Sequence, residues 1–206
     1  MIERRRRVVI VDAGHGNLAS VRSAFLQVGC QAEITTDPEL VSRAPVLVFP
    51  GQGAAPAAMS TLESNGIGQA LRTAISSGVP ALGICLGMQL ALDRSQEGPT
   101  PCLGLVRGEC RRFEAGTARL KIPQIGWNRV EHRDDPLFAG IPSGTYFYFV
   151  HSYYCSVEED AACGWTDYGI QFPSALRQGR FWATQFHPEK SAAQGLRLLS
   201  NFLALV

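Results

Sequence analysis

Cys85 is the residue whose surroundings most clearly indicate covalent chemistry. Residues 82–89 read Leu-Gly-Ile-Cys-Leu-Gly-Met-Gln, so the cysteine lies between two glycines where an apolar strand gives way to a helix. Glycines in such a turn permit a sharp change of direction, with the central residue in a strained backbone conformation. The thiol is then presented at a helix N-terminus, whose partial positive charge favours the reactive thiolate. We therefore predict that Cys85 is a nucleophile.

A base and an orienting acid for this nucleophile are predicted at His187 and Glu189. Residues 185–189 read Gln-Phe-His-Pro-Glu. In an extended segment, residues two apart face the same side, and Pro188 restricts His187 to extended geometry. A carboxylate that accepts from one imidazole nitrogen leaves the other free to exchange a proton with sulfur. A His-x-Glu pair alone is common on strand surfaces, so this prediction depends on its combination with the cysteine turn.

Acyl chemistry at Cys85 also requires donors for a developing oxyanion. One candidate is the backbone N–H of Leu86, directly after the nucleophile. The second is the N–H of Gln52, within the turn Phe-Pro-Gly-Gln-Gly of residues 49–53. Taken alone, that segment fits an ordinary Pro-Gly turn better than an oxyanion site.

The pattern of elements predicts an α/β fold that would hold these groups together. In the first half, apolar strands alternate with helices, which is typical of a mostly parallel central sheet flanked by helices on both faces. In the second half, short aromatic or β-branched runs predict an antiparallel extension, followed by a last helix that begins near Ser191. The predicted strands are 8–11, 31–35, 46–49, one ending at Cys85, 146–150, 153–157, 175–177 and 181–186. The earlier helices are predicted from about 18 to 28, 54 to 63 and 67 to 76.

Composition limits the possible classes of protein. The chain has 206 residues, of which 46% are hydrophobic and 18% charged, with a net charge of +1. We expect one domain over 1–206, and neither a disordered chain nor a nucleic-acid surface. The arginines at 4–7 are interpreted as part of a solvated basic leader over residues 1–7. No apolar run is long enough to span a bilayer or to form a signal-peptide core, so we predict a cytoplasmic protein that binds no membrane.

The cysteines and the remaining histidines give weaker indications. The six cysteines form no Cys-x-x-Cys pair and no metal-like cluster, so no metal is predicted, and all except Cys85 are interpreted as reduced packing residues. His15 lies in a Gly-His-Gly loop after the first strand, which lacks the third glycine of a dinucleotide site. His132, among charged residues, is predicted on a solvated loop. His151 fits two roles equally well, one in substrate binding and one in hydrogen bonding inside the fold.

The nucleophile and histidine motifs together resemble those of the class I glutamine amidotransferases. The matching segments are residues 83–89 and 185–191. Within that family, the chain most resembles the glutaminase subunits of imidazole glycerol phosphate synthases, which serve histidine biosynthesis. Residues 12–18, 121–128 and 148–153 carry this likeness. The resemblance extends from about Asp12 to the C-terminal helix.

The resemblance implies a specific reaction that needs no cofactor. Cys85 would attack the side-chain amide of glutamine, release ammonia and leave a γ-glutamyl thioester that water hydrolyses to glutamate. His187 would protonate the departing ammonia and then activate water, with Glu189 orienting it. Gln52 and Leu86 would supply the oxyanion donors. The residues implied in glutamine binding are Gly51, Gly53, Gln89, His151, Ser152 and Tyr153.

The resemblance also implies a protein partner. In the family, the glutaminase subunit docks on a (β/α)8-barrel cyclase, through which ammonia passes to form imidazole glycerol phosphate and an aminoimidazole-carboxamide ribotide. Asn17, Trp127 and Lys190 match segments that face this partner, although a buried Trp127 would have a purely structural role. An exposed aromatic side chain beside a lysine would suit an interface.

Three positions depart from the family pattern. Ala13 occupies a position that is usually tyrosine, Gln52 one that is usually aliphatic, and Gln124 one that is commonly histidine. Alternatives therefore stay open: a glutaminase of another class I amidotransferase, a free γ-glutamyl hydrolase, or a binding module that retains a residual cysteine turn. Residues 125–128 argue against the first of these, and the intact Cys85, His187 and Glu189 argue against the last.

Overall fold

The computed structural model describes residues 7–14, 16–114 and 120–206, in which the chain forms β-strands, α-helices and short 3-10 helices. The strands are β1 (Arg7–Val11), β2 (Gln31–Thr35), β3 (Leu47–Gly51), β4 (Ala81–Cys85), β5 (Arg94–Ser95), β6 (Thr100–Pro101), β7 (Gly108–Arg112), β8 (Gln124–His132), β9 (Thr145–His151), β10 (Tyr153–Val157), β11 (Ala162–Asp167), β12 (Gln171–Gln178) and β13 (Phe181–Thr184). The α-helices are α1 (Leu18–Gln27), α2 (Pro38–Ser42), α3 (Ala55–Ser64), α4 (Ile67–Ser76), α5 (Leu86–Leu90) and α6 (Ala192–Ala204). The 3-10 helices are Pro136–Phe138, Glu159–Ala161 and Pro188–Lys190.

A nine-stranded sheet organises the molecule, with the strand order β2-β1-β3-β4-β13-β12-β11-β8-β9. The first five of these strands are mutually parallel, and the rest continue the sheet in antiparallel fashion. The predicted α/β class, with a parallel sheet and an antiparallel extension, is confirmed. One detail of the prediction was wrong: the run at 181–186 forms β13, which ends at Thr184 and pairs in parallel with β4.

Helices cover both faces of the parallel strands, which explains the continuous apolar runs in the sequence. In β1, Val8 and Ile10 belong to the core cluster that includes buried residues of α1 and α6. Val9 and Val11 point to the other face and belong to the cluster formed with α3 and α4. Successive residues of one strand are therefore buried in two different cores.

A second, four-stranded sheet has the order β10-β7-β5-β6. Only β10 among these strands was predicted from the sequence. The strands β5 and β6 have two residues each, which is too short for an alternating pattern to be recognisable. Buried cysteines of β7 and β10 join the core cluster on the α3 and α4 face, so this small sheet lies on that side of the main one.

Near the N-terminus, one prediction needs correction. Arg7 was assigned to the basic leader, but it is the first residue of β1 and forms a salt bridge with Glu33 of β2. The other leader residues, 1–6, and His15 lie outside the described residues. Across the described ranges, no helix has both the length and the apolar character that crossing a membrane requires.

The prediction of a solvated loop at His132 was also wrong. This residue ends β8, and its ring stacks on Phe138 with centroids 4.3 Å apart. Its two ring nitrogens lie 2.9 Å and 3.0 Å from the carbonyl oxygens of Arg133 and Ile141. The charged neighbours that suggested a loop follow the strand rather than surround the histidine.

Candidate active site

The chain reverses direction at Cys85, between β4 and α5. Cys85 has φ +54° and ψ −106°, a conformation that few side-chain-bearing residues adopt, as expected for a nucleophile at a strained turn. Gly87 makes the turn possible, because a Cβ atom there would lie 1.7 Å from the carbonyl oxygen of Phe49 in β3. The helix after the nucleophile thus packs directly against the neighbouring strand.

His187 and Glu189 form the predicted pair, but through a different local structure. Nδ1 of His187 lies 2.8 Å from Oε1 of Glu189, and both side chains are almost fully buried. His187 itself is extended, with φ −98° and ψ 98°, whereas Pro188–Lys190 is a 3-10 helix. The tight turn, and not one face of a strand, therefore brings the carboxylate to the imidazole.

The backbone of His187 is fixed to β9 by two polar links. Its N–H donates to the carbonyl oxygen of Tyr148 over 2.9 Å. Its carbonyl accepts from the hydroxyl of Ser191 at 2.6 Å, and the same hydroxyl accepts from the N–H of Tyr148 at 3.0 Å. Ser191 is buried and had no role assigned from the sequence beyond its place in the histidine motif. This clamp holds the imidazole in place, which a general acid-base residue requires.

Electrostatics favour the protonated form of His187. Burial by itself lowers the pKa of the imidazole, but the nearby charge on Cys85 and the carboxylate of Glu189 outweigh it and raise the pKa from 6.5 to about 10. Although Cys85 is within electrostatic reach, Nε2 of His187 meets the geometric criteria for a hydrogen bond with none of the described residues. This nitrogen is therefore free to exchange a proton with a reacting group.

Cys85 and His187 face one open cavity of about 450 Å³. Most of the side chains predicted to act on the substrate line it. Its lining residues are Gln52, Gly53, Cys85, Leu86, Gln89, Glu97, Pro123, Tyr148, Val150, His151, Ser152, Tyr153, His187 and Lys190. The predicted residues absent from this wall are Gly51 and Glu189, which lie behind Leu86 and His187 respectively.

The predicted oxyanion segment runs beside the nucleophile. Gly51 ends β3 and is paired in register with Cys85 of β4. A Cβ atom at Gly51 would lie 3.0 Å from the Cβ of Leu86, so the two predicted donor segments are in close contact. Gly53 has φ +93°, which shows that the chain turns sharply after Gln52. The assignment of Gln52 and Leu86 as donors stays a prediction.

A chain of side-chain amides links the nucleophile to the start of β10. Nε2 of Gln89 donates to the carbonyl oxygen of Tyr153 at 3.1 Å and to Oε1 of Gln185 at 3.0 Å. Nε2 of Gln185 in turn lies 3.6 Å from Sγ of Cys85. Sequence reasoning gave Gln185 no role, although its position two residues before His187 was a signal that it belongs to the site.

His151 is held inside the fold while its ring borders the cavity. Nδ1 lies 2.7 Å from the carbonyl oxygen of Tyr153, and Nε2 lies 2.9 Å from the side-chain amide of Gln124. Burial is the main cause that lowers the pKa of His151 to about 4, and the nearby charge of His187 acts in the same direction. The hydrogen bond to Tyr153 opposes this shift. A neutral imidazole carries one N–H, so the second contact requires the Gln124 amide to turn its NH₂ toward Nε2. Of its two predicted roles, the structure displays hydrogen bonding within the fold, and direct substrate binding stays a prediction.

Glu97 is a site residue that the sequence analysis missed. It is the one carboxylate among the described residues that line the cavity. Its Oε2 accepts from the backbone N–H of Ala55 at the start of α3 over 2.7 Å, which fixes its position. It lies in a turn after a two-residue strand, where no motif marks an acidic ligand.

The three predicted partner residues occupy different settings. Trp127 is 52% exposed, which excludes the buried role considered for it. It contacts Tyr148 of β9 edge to face, and Nζ of Lys190 lies 5.9 Å from the centre of the Tyr148 ring. Asn17 caps α1, where its side chain accepts from the N–H of Ser20 at 3.2 Å.

Exposed apolar side chains continue from Trp127 along the outer strands. Ile125 and Tyr146 are 57% and 55% exposed. The register pairs Ile125 with Val150 and Trp127 with Tyr148, so these side chains share one face of β8 and β9. We call Ile125, Trp127, Tyr146 and Tyr148 the aromatic patch. It borders the cavity, because Tyr148 belongs to both and Val150, the partner of Ile125, also lines the cavity.

The parallel sheet, the cysteine turn and the His-Glu pair define a class of protein, and comparison with known families agrees. The family model of class I glutamine amidotransferases matches residues 9–206. The chain therefore belongs to the class I glutamine amidotransferase family.

Curated relatives define the particular branch of this family. The chain is 49% identical over 203 residues to the imidazole glycerol phosphate synthase subunit HisH of Symbiobacterium thermophilum, covering 97% of this chain and 94% of that protein. It is 45% identical over 204 residues to the HisH subunit of Moorella thermoacetica, with coverages of 98% and 96%. The HisH subunit of Herpetosiphon aurantiacus is 45% identical over 200 residues, with coverages of 96% and 94%. By sequence, these HisH subunits are its relatives.

Solved structures support the fold. A crystal structure of a glutamine amidotransferase superposes with a TM-score of 0.75 at 22% identity, covering 96% of this chain and 97% of the other. The glutaminase domain of Trypanosoma brucei CTPS with bound acivicin superposes with a TM-score of 0.66 at 16% identity, with coverages of 97% and 94%.

Proposed function

We propose that this chain is a single glutamine amidotransferase domain acting as the glutaminase subunit of an imidazole glycerol phosphate synthase. The observation that carries the proposal is the arrangement of Cys85 and the His187–Glu189 pair around one cavity. Relatives with the HisH name, at 45% to 49% identity over nearly the whole chain, support the choice of synthase.

The reaction follows from the groups at the cavity. Sγ of Cys85 attacks the side-chain carbonyl carbon of glutamine, and the negative charge moves to the carbonyl oxygen, where the N–H groups of Gln52 and Leu86 would stabilise it. The carbon–nitrogen bond then breaks, and Nε2 of His187 donates its proton to the departing nitrogen. The products of this half-reaction are ammonia and a γ-glutamyl thioester on Cys85.

Water completes the cycle. His187, now neutral, accepts a proton from a water molecule that attacks the thioester carbon. The carbon–sulfur bond breaks, glutamate leaves and the proton returns to the cysteine–histidine pair. Throughout, Glu189 accepts from Nδ1 and holds the ring so that Nε2 faces the reacting atoms.

Glutamine recognition would use the charges at the cavity wall. The α-ammonium of glutamine needs a negative partner, and Glu97 supplies one. The side chains of Gln89, Ser152 and Tyr153 would contact the other backbone groups, and Gly51 and Gly53 would keep the opposite wall open. His151 would support this wall by fixing the carbonyl of Tyr153.

The side chain of Gln52 is expected to be dispensable. Because the proposed donor is the backbone N–H, Gln52→Val should keep coupled glutaminase activity within about 3-fold of the wild type, a difference below 1 kcal/mol. Glutamate release in the presence of the cyclase would measure this. A folded Gln52→Val protein that has lost most of its activity would contradict the proposed oxyanion site.

The partner would be a (β/α)8-barrel cyclase docked over the mouth of the cavity. Ammonia is small and neutral, and a covered exit would let it reach an acceptor without mixing with bulk water. The aromatic patch borders the cavity, and three of its large side chains, Ile125, Trp127 and Tyr146, are more than half exposed. A cluster of exposed apolar and aromatic side chains suits a docking face. Lys190 at the cavity and Asn17 at the start of α1 would flank it.

Trp127→Ala is expected to weaken binding of the cyclase subunit by about 30-fold, which corresponds to about 2 kcal/mol for a central aromatic anchor. Titration calorimetry with the purified cyclase would measure the change. Leu26→Ala is the matched control, because Leu26 is 51% exposed but lies in the last turn of α1, toward the opposite end of the parallel strands. Equal affinities for the two variants would contradict docking at the aromatic patch.

The proposed function is tested by glutamate release from the chain alone, with an imidazole glycerol phosphate cyclase, and with that cyclase plus its substrate. Strong stimulation in the last condition is the expected result, because ammonia made without an acceptor is wasted. The turn at Gln52 and Gly53 is a candidate for the element that responds. Brisk turnover without any partner would favour a free γ-glutamyl hydrolase. Stimulation by a different synthase would favour another class I glutaminase.

A further inference from the structure

Gln185 places a buried amide against the nucleophile, and no step of the proposed mechanism uses it. Its side chain is fully shielded from solvent. Nε2 lies 3.6 Å from Sγ of Cys85, and Oε1 lies 3.0 Å from Nε2 of Gln89. A buried amide of this kind is costly unless its groups are paired, so the position demands a reason.

The direction of this amide is fixed by its neighbours. The carbonyl oxygen of Tyr153 can only accept, so the end of Gln89 that meets it at 3.1 Å must be the NH₂ group. That same NH₂ group meets Gln185, which must therefore present its oxygen. The remaining end of Gln185, directed at Sγ of Cys85, is then an N–H donor. The alternative orientation would set two NH₂ groups against each other.

We propose that Gln185 is a positioning residue that donates a hydrogen bond to Sγ of Cys85 and stabilises negative charge on the sulfur. The proposal rests on the function given above, in which the sulfur is negative before attack and again when glutamate leaves the thioester. The contact of the thiol with the carbonyl of Val150, at 3.9 Å, opposes negative charge, so a donor is needed to balance it. His187, two residues further along the same segment, would then share this task with Gln185.

The same contacts connect the sulfur to the substrate wall. Gln89 links Gln185 to the carbonyl of Tyr153, and Tyr153, the first residue of β10, is proposed to bind glutamine. A shift of Tyr153 would therefore alter the donor at the sulfur as well. Gln185 is thus placed to adjust the reactivity of the thiol rather than to bind glutamine directly.

The test compares two substitutions of Gln185. Gln185→Glu keeps the shape and the oxygen that faces Gln89 but loses the N–H donor when ionised, and Gln185→Met removes both polar groups. In each, kcat for glutamine should fall about 10- to 100-fold with KM within about 3-fold, as expected for a hydrogen bond to a charged atom. Alkylation of Cys85 by iodoacetamide should slow by a similar factor.

The pH dependence separates this role from a packing role. A protonated Glu at position 185 carries an O–H donor, so the alkylation deficit of Gln185→Glu relative to wild type should narrow as the pH falls from about 8 to about 5.5, while that of Gln185→Met should not. Asn201→Leu is the matched control. It removes 2.9 Å hydrogen bonds from a buried side chain of α6 to the carbonyl oxygens of Leu137 and Ala139, which do not line the cavity, and it should leave the alkylation rate unchanged.

Two outcomes would overturn the proposal. One is a folded Gln185→Met protein that is alkylated and turns over glutamine at the wild-type rates. The other is a deficit in Gln185→Glu that matches Gln185→Met at every pH. A wild-type chain that lacks glutaminase activity with any synthase would refute the proposed function instead, and the alkylation rates would still decide whether Gln185 acts on the sulfur.

Discussion

Glutamine hydrolysis is expected to fall about 10⁴-fold or more in Cys85→Ala, because no other group at this position can form the thioester. Glutamate release with the cyclase and its substrate present measures the loss. The sulfur is replaced by hydrogen at a buried turn, so the change also removes the atom that Gln185 and His187 face. Binding of the cyclase subunit should persist, since the aromatic patch is untouched.

Cys163→Ala is the matched control for this loss. Cys163 is equally buried, in β11, and takes no part in the site. Burial raises the pKa of its thiol to about 12, so it should remain a neutral packing group over the whole physiological range. Retention of activity in Cys163→Ala and its loss in Cys85→Ala would assign the chemistry to Cys85. Comparable activity in the two variants would contradict the thioester mechanism.

The Cys85→Ala variant also tests the electrostatics of His187. Charge on Cys85 is a principal cause of the raised pKa of this imidazole, so the pKa should fall in Cys85→Ala while Glu189 continues to raise it. In the wild type, a folded pKa of about 10 against an ordinary 6.5 means that protonation stabilises the fold fully below pH 6.5. That stabilisation is lost as the pH rises from 6.5 through 10. In Cys85→Ala this stabilisation should be fully lost at a lower pH than in the wild type. NMR titration of the His187 ring measures the pKa, and a pKa equal to that of the wild type would show that Cys85 does not influence it.

The reactive groups of the site could be predicted from the sequence because the motifs that mark them are local. The turn at Cys85 has two glycines within five residues, Gly83 and Gly87, and both are visible without any knowledge of the rest of the fold. His187 and Glu189 are equally local, being two residues apart. Their meeting with Cys85 was predicted from the combination of the two motifs, and in the structure it follows because β4 and β13 are neighbouring parallel strands that end at the same edge.

The supporting residues depend on contacts between distant segments and could not be predicted in this way. Gln185 and Gln89 are 96 residues apart in the chain, and Glu97 reaches the cavity through the start of α3. A glutamine in a motif has no chemistry of its own, so its partner defines its role. For the same reason His151, with two equal interpretations from sequence, could be understood only once Gln124 was found beside it.

The start of β8 was not predicted as a strand, for a different reason. Residues 121–128 were recognised as a motif but not as the beginning of β8, because Gly126 and Asn128 interrupt any alternating pattern. The chain becomes a strand there because β9 pairs with it from Gln124 to Val130, and β11 pairs with the end of the same strand at Glu131 and His132. Pairing of this kind depends on tertiary context, which overrides weak local propensity. The aromatic patch was therefore invisible as a surface, even though Trp127 was singled out.

Gly87→Ala is expected to destabilise the protein by about 3 kcal/mol or more, although alanine is a better helix former than glycine by about 1 kcal/mol. The added Cβ would lie 1.7 Å from the carbonyl oxygen and 2.9 Å from the carbonyl carbon of Phe49. Both atoms belong to the backbone of β3, which is paired on both sides by β1 and β4 and cannot move aside. Either α5 shifts away from the sheet or the turn at Cys85 changes, and in both cases the nucleophile leaves its position.

Gly68→Ala separates this steric effect from helix propensity, because Gly68 also lies within a helix. There the new Cβ would meet Oε1 of Glu63 at 2.9 Å, which is the end of a flexible and half-exposed side chain that can rotate away. The free energy of unfolding of the Gly68→Ala protein should therefore change by less than about 1 kcal/mol in either direction. Urea denaturation of the two variants would give the comparison, with alkylation of Cys85 reporting the state of the turn. Similar stabilities for Gly87→Ala and Gly68→Ala, with normal alkylation in both, would show that β3 yields to the helix and that the close approach is not what holds Cys85 in place.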